Sequence, residues 1–324
     1  MEKQKKYYYI ADILRALAAI LVLNSHYGTV YPIRIAIGAE LGLAIFFVLS
    51  GFLLSSINEN TRFIHWILKR ELRLFVPLYL WRIVRLLFHK ITIDSFESFF
   101  NDFLSPAAVW FSVWISILYI VYYVYVKFVY KKWGKSSILL LMGLSFCAFI
   151  VFYCATEMHE PTMLTQNMPS KMLWLFCMMM GLYLHENNVI RPKKEQRYLY
   201  IYAIIFVFIY GFSKIITNKG YFPYFKCMPT VISVFAVPCI LIALLNFEEY
   251  HKNIAIQINN NKVLQIISSS SLEIWYVSWT FIGAMRGWVF PINWVCITFS
   301  TIIVAYILHK LAEKLIRLCC KKPD

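Results

Sequence analysis

Asp12, Arg15 and His26 lie in one apolar run near the start of the chain. On a helix, the eleven steps from Arg15 to His26 overshoot three full turns by only about 20°, so both side chains leave the same face. The rise between them is about 16 Å, half the hydrocarbon thickness of a bilayer. Histidine has the free pKa nearest neutrality and is the natural proton acceptor of the three. Arginine stays charged and offers a planar fork of donors that suits phosphates or a carboxylate. Asp12 precedes Arg15 at the i, i+3 spacing of a counter-ion. Ionisable groups at such depth are costly and normally face a bundle interior or a wet cavity, which marks them as functional candidates. A snorkelling Arg and an interfacial His are the blander alternative.

The elements that must position these residues are membrane helices. The chain has 324 residues, 60% of them hydrophobic, with apolar stretches near 20 residues recurring throughout. That pattern excludes a soluble enzyme and predicts an all-α, polytopic integral membrane protein. About ten spans are expected, at 8–30, 39–57, 74–89, 107–126, 136–155, 170–185, 198–213, 228–246, 267–285 and 292–309. The first carries Asp12 and Arg15 where the core of a signal peptide is plain, so it reads as a retained helix. With the N-terminus inside, 22 of the 32 lysines and arginines fall on the cytoplasmic side and seven outside. This bias predicts a multi-pass protein with both termini cytoplasmic. The net charge of +15 is spread over short loops, so no compact basic surface exists for nucleic acid. It would instead attract anionic lipid headgroups or a polyanionic cofactor.

The eight cysteines are scattered without metal-ligand spacing, and neither a disulfide nor a metal is assigned. His159, between Glu157 and Glu160, is a poor metal site, and His309 and the remaining histidines read as interfacial. No Gly/Ser/Pro-rich linker or internal repeat interrupts the sequence, which predicts one membrane domain over 1–324. Arg62 to Arg73 reads as a cytoplasmic amphipathic helix. Its cations Arg70 and Arg73 would grip phosphates, anchor the interface, or do both. The longest outer segments, 90–106 and 156–169, are the expected acceptor contacts. Ser50 and Gly51 suit close helix packing, with a hydroxyl donor role for Ser50 as the alternative. Glu40, at the outer end of the same span, would either orient His26 or stand in solvent.

Three groups of residues together resemble the membrane-bound acyltransferase-3 family. Arg15 and His26 match its Arg-x10-His spacing, with Asp12, Ala18 and Val22 in register. Phe46, Phe47, Ser50, Gly51 and Phe52 are similar to its second helix, and Lys69, Arg70, Arg73, Pro77, Tyr79 and Trp81 to its basic-then-proline third. The resemblance implies an integral-membrane O-acyltransferase of the cell membrane. It would move an acetyl or similar group from acetyl-CoA to a hydroxyl of a cell-surface polysaccharide or lipid-linked glycan. His26 and Arg15 would be catalytic, and Arg70, Arg73 and Ser50 would bind the acyl-CoA donor. A glycan-translocating protein of the same family, or an N-acyl or succinyl transferase, is the alternative. Few interior polar residues stand beyond Asp12, Arg15, His26, Arg82, Arg85 and Glu273, which favours the enzyme over a wide polar path.

Two departures qualify the match. In the late-helix frame Ser271 to Ser278, Trp275 stands where the family often has Tyr and Ser278 where it often has His. Around the fourth span, Trp110 and Trp114 bring no acid. Ser270 and Glu273 read as a capping box that opens the ninth span. The expected sidedness is tested by single cysteines in a cysteine-free background. A cysteine at Thr162 should react with a membrane-impermeant reagent in intact cells and one at Lys194 should not; the reverse pattern overturns the orientation.

Overall fold

The computed structural model describes residues 7–32, 36–55, 57, 61–88, 95–100, 110–155, 168–187, 189–190, 192–218 and 226–319. Every described element is helical. In chain order the helices are α1 (Tyr9–His26), α2 (Ala39–Leu53), α3 (Phe63–Leu87), α4 (Phe96–Phe99), α5 (Trp110–Val124), α6 (Lys131–Trp133) and α7 (Lys135–Ala155). They continue as α8 (Met168–Glu186), α9 (Lys193–Asn218), α10 (Met228–Tyr250), α11 (Lys252–Asn259), α12 (Lys262–Ser269), α13 (Ser271–Met285) and α14 (Ile292–Cys319). A 3-10 turn, Tyr27–Thr29, follows α1, and a π turn, Tyr125–Tyr130, joins α5 to α6.

Among the described residues, six helical stretches are long and apolar enough to cross a bilayer: Tyr9–Thr29, Phe111–Trp133, Lys135–Ala155, Glu195–Asn218, Met228–Tyr250 and Ile292–Leu318. Helices also stand at the other four expected spans, as α2, α3, α8 and α13. Two details differ from expectation. The amphipathic segment at 62–73 and the span after it are one helix, α3, running through the buried Pro77. The span expected at 267–285 is broken at Ser270 into α12 and α13. The outer segments at 90–106 and 156–169, with His159, lie largely outside the described residues.

The chain forms two compact units that interleave in sequence. One comprises 1–55 and 135–271, the other 56–134 and 272–324. No single cut separates them, which is why no linker shows in the composition.

In the first unit α8 packs between α2 and α7, α10 packs on α9 and α2, and α11 and α12 return along α1. The crossing of α2 and α8 is made by two glycines facing each other's backbone. A Cβ on Gly51 would stand 1.8 Å from the Met178 carbonyl oxygen, and one on Gly181 would stand 2.0 Å from that of Val48. Phe47 stacks on Trp174 beside this crossing at 5.0 Å. The packing role expected of the Ser50 and Gly51 pair therefore belongs to Gly51. Helix α2 runs antiparallel to α1. Tyr8 and Phe52 meet edge-on at one end, 5.1 Å apart, and Gly42 abuts the Ala18 carbonyl and Val22 towards the other.

In the second unit α3 packs against α14 and α5. Leu78, Trp81, Tyr276, Val277 and Leu308 form its core. The buried Tyr276 hydroxyl donates to the Leu74 carbonyl at 3.2 Å, in the stretch where Pro77 lacks an N–H, and shares a 2.9 Å hydrogen bond with Ser112.

Gly51→Ala should lower the folded fraction sharply, by about 3 kcal/mol or more, because the intruding methyl meets rigid backbone. Gly143→Ala on α7, whose Cβ would meet nothing within 4 Å, is the control and should be neutral or slightly stabilising. Thermal melts of the detergent-purified variants check both.

Candidate active site

Helix α1 carries the expected residues in two separate polar regions. At its first turns the Arg15 guanidinium donates to Asp12 Oδ1 at 2.7 Å. Asp12 also accepts from Ser268 at 3.3 Å and, through a very short bond, from the Tyr7 hydroxyl. Burial and this carboxylate push the Tyr7 phenol above its usual value. The counter-ion role for Asp12 is thus present, and α12 extends it through Ser268. The start of α1 is further fixed by the buried Glu248 of α10, which accepts the Ile10 backbone N–H at 2.9 Å. That anion at a helix N-terminus meets an otherwise unpaired donor.

His26 is the last residue of α1 and half-buried. The chain leaving it is tied back to the helix. Asn24 donates to the Ile37 carbonyl at 2.8 Å and accepts from the Tyr31 hydroxyl at 2.5 Å. Tyr31 in turn packs edge-on against the buried Tyr27, ring centres 5.8 Å apart. His26 is therefore held in a fixed turn at the far end from Arg15. With about 16 Å of rise between them, the two cannot grip the same few atoms.

Glu40 sits at the His26 end of α2, as expected, but neither proposed role describes its partners. It is fully buried, ion-paired with Lys214 of α9 through a very short contact, and accepts from Tyr210 at 3.0 Å. Tyr210 also accepts the Gly38 N–H at 3.1 Å. Gly38 stands before α2 with φ of 115°, a left-handed conformation that glycine adopts without strain. Solvent exposure is ruled out because two groups of α9 enclose the carboxylate. This cluster was missed in the sequence because Lys214 counts there only as one of the seven lysines and arginines assigned to the outer side. Ser50, at the Arg15 end, turns its hydroxyl to the Phe46 carbonyl of its own helix at 2.8 Å.

Arg70 and Arg73 belong to the second unit. The Arg70 guanidinium lies 3.7 Å over the Trp66 ring and donates to the Trp66 carbonyl at 2.6 Å. Its buried Nε has no hydrogen-bond partner among the described residues. Arg73 is exposed. The same unit holds a pair that the sequence did not suggest. His309 Nδ1 meets Glu273 Oε1 at 2.9 Å. The capping-box reading of Ser270 and Glu273 is accordingly replaced: Glu273 faces α14, while Ser270 bonds back to the Ile266 carbonyl at 2.6 Å. Ser278 is buried and donates to the Trp275 carbonyl at 3.0 Å.

Apolar helices of membrane length, with ionisable groups kept inside them, are the build of a multi-pass membrane protein. A family model described as an acyltransferase domain, that of the acyltransferase-3 family, matches residues 8–310. The chain belongs to that family and is a membrane acyltransferase. No curated protein matches it, and neither does any solved structure.

Lys214→Met leaves the Glu40 carboxylate buried without its cation and should cost about 3–5 kcal/mol of stability. Replacing both Glu40 and Lys214 by apolar residues should recover most of that loss. Melting temperatures of the single and double variants measure the difference.

Proposed function

We propose that this protein is an O-acetyltransferase that moves the acetyl group of acetyl-CoA to a hydroxyl of a cell-surface polysaccharide or lipid-linked glycan. It would cross the cell membrane about ten times with both termini cytoplasmic. The observation that carries the reading is the paired arrangement on α1, with Arg15 held by Asp12 at one end and His26 held in a turn at the other. The family match over residues 8–310 supplies the reaction class.

His26 takes the proton of the acceptor hydroxyl as its oxygen attacks the thioester carbonyl. The carbon–sulfur bond then breaks, the sulfur keeps the electron pair and takes up the proton that His26 received, and CoA leaves as the thiol. Arg15 serves an anionic part of the donor, because its fork of donors is always charged and Asp12 fixes its direction. Ser50 lies at that same end of α1 and α2 and serves the donor side with it. Exposed Arg73 and stacked Arg70 draw the polyanionic donor to the cytoplasmic surface. Acyl transfer to an amine, or transfer of succinyl, would use the same residues and is distinguished by the mass of the product.

His26→Ala should cut acetylation by about 10² or more while the protein still inserts and folds. Arg15→Lys should also fail, since a point charge does not reproduce the planar fork. Mass spectrometry of surface glycans from cells expressing each variant at equal level reads both, as loss of the acetyl mass. More than about a tenth of the activity in His26→Ala would remove that residue from the mechanism.

A further inference from the structure

Two arginines of the second unit have no part in the reaction above. Arg82 and Arg85 stand one turn apart near the end of α3, both half-buried. They do not belong with the donor-side cations, because α3 rises about 22 Å between Arg70 and Arg85. Arg85 Nε is buried and has no hydrogen-bond partner among the described residues. The same holds for two more donors of this unit, Trp81 Nε1 and Thr301 Oγ1. Trp81 is 8% exposed and Thr301 0%. A buried indole N–H usually finds an acceptor. A helical threonine has a carbonyl of the preceding turn within reach, as Thr298 of the same helix shows by donating to Trp294 at 2.7 Å.

Packing brings these donors to one level of the unit. Leu78 of α3 and Leu308 of α14 share its core, with Val84 and Val304 against it. The two helices run in opposite directions: Lys69, Arg70 and Arg73 lie early in α3, whereas Lys310, Lys314 and Arg317 end α14. Two turns on from Leu78 is Arg85, and two turns back from Leu308 is Thr301, so both move the same way and stay on the facing sides. Trp81 lies one turn before Arg85 on that side. Two carboxylates of the unit are engaged elsewhere, since Glu71 accepts from Ser116 at 2.7 Å and Glu273 meets His309. Unmet donors beside cations, within a membrane helix, call for an anion rich in acceptor oxygens. Ile83, Leu87 and Phe88 are exposed apolar side chains at the same end of α3, which suits an anion that carries a hydrocarbon body.

We propose that Arg85, Arg82, Trp81 and Thr301 bind the phosphate of a lipid in the leaflet opposite the CoA side. Arg85 grips two phosphate oxygens through Nε and a neighbouring Nη, and Trp81 and Thr301 donate to the same group. Arg82, which also lies within electrostatic reach of Tyr276, adds the second charge. The acyl chains run along Ile83 and Leu87. The phosphate comes from a bilayer phospholipid or from the carrier of a lipid-linked acceptor. Only the second source rests on the glycan reading above; the site itself does not.

The test uses the full-length protein, purified in detergent and stripped of lipid. It is titrated separately with a polyprenyl phosphate, with phosphatidylglycerol and with the uncharged polyprenol. Binding is read by native mass spectrometry and as the rise in melting temperature with lipid concentration. Both phosphate lipids should bind, and polyprenol should bind far more weakly. Arg85→Gln should weaken phosphate-lipid binding about tenfold or more, since a hydrogen bond to a charged group is lost. Thr301→Val should weaken it about threefold or more; were the hydroxyl merely structural, its removal would leave binding unchanged. Lys132→Gln, which removes a cation elsewhere in the unit, should have no effect. Polyprenol binding as tightly as its phosphate, or both site variants staying within about twofold of wild type, overturns the proposal. Should Arg85→Gln not assemble, Thr301→Val decides alone. A preference of about tenfold for polyprenyl phosphate assigns the site to the acceptor's carrier, and equal binding assigns it to the bilayer's own lipids. No acyl donor enters the assay, so failure of the acetyltransferase reading would leave these outcomes unchanged.

Discussion

A charge inside an apolar helix bundle has no water to turn to, and the way this chain answers that constraint organises both of its units. Arg15 is answered by Asp12 one turn away, Glu40 by Lys214, and His309 meets Glu273. The first pair is local to one helix and adds direction to a side chain. The other two join different helices and fix how those helices sit. Neighbouring donors complete the carboxylates of the first two pairs: Tyr7 and Ser268 at Asp12, and Tyr210 at Glu40. The helix ends meet the same demand, with Glu248 receiving the first free N–H of α1.

Apolar packing then sets the distances. Among lipid-facing helices, burial of oily surface gives little preference for protein over lipid, so close backbone approach decides which helices stay together. Gly51 and Gly181 allow that approach between α2 and α8. The flat stack of Phe47 on Trp174 fills the space beside it. Because α2 also lies along α1, this crossing bears on the direction in which α1 presents Arg15 and His26. Residues remote from the chemistry are thereby part of its geometry.

Much of this was legible in the sequence, and the reasons for the rest are physical. Helix positions followed from apolar runs, which report burial in lipid directly. Asp12 and Arg15 were readable because their contact is three residues apart. The residue content of α2 announced close packing, although only the structure assigned it to Gly51. Glu40 with Lys214, and Glu273 with His309, could not be read in the same way. Their partners are 174 and 36 residues apart, and nothing in local spacing encodes such meetings. Glu273 was misread as a cap because its offset from Ser270 fits that motif, whereas its carboxylate meets the His309 imidazole on the next helix. The interleaved units were hidden for a related cause: each chain crossing between them is short and carries no linker composition.

The long separation of Glu40 from Lys214 bears on how the protein is made. Ribosomes deliver helices to the membrane in order, so α2 enters with an acidic group whose cation has not yet been synthesised. The first unit closes only after α9 and α10 follow, with α3 to α6 already emerged and belonging elsewhere. During that interval water or another polar partner must meet the Glu40 carboxylate. Biogenesis of this enzyme is therefore exposed to a pause or truncation before residue 214 in a way that its finished, paired structure conceals.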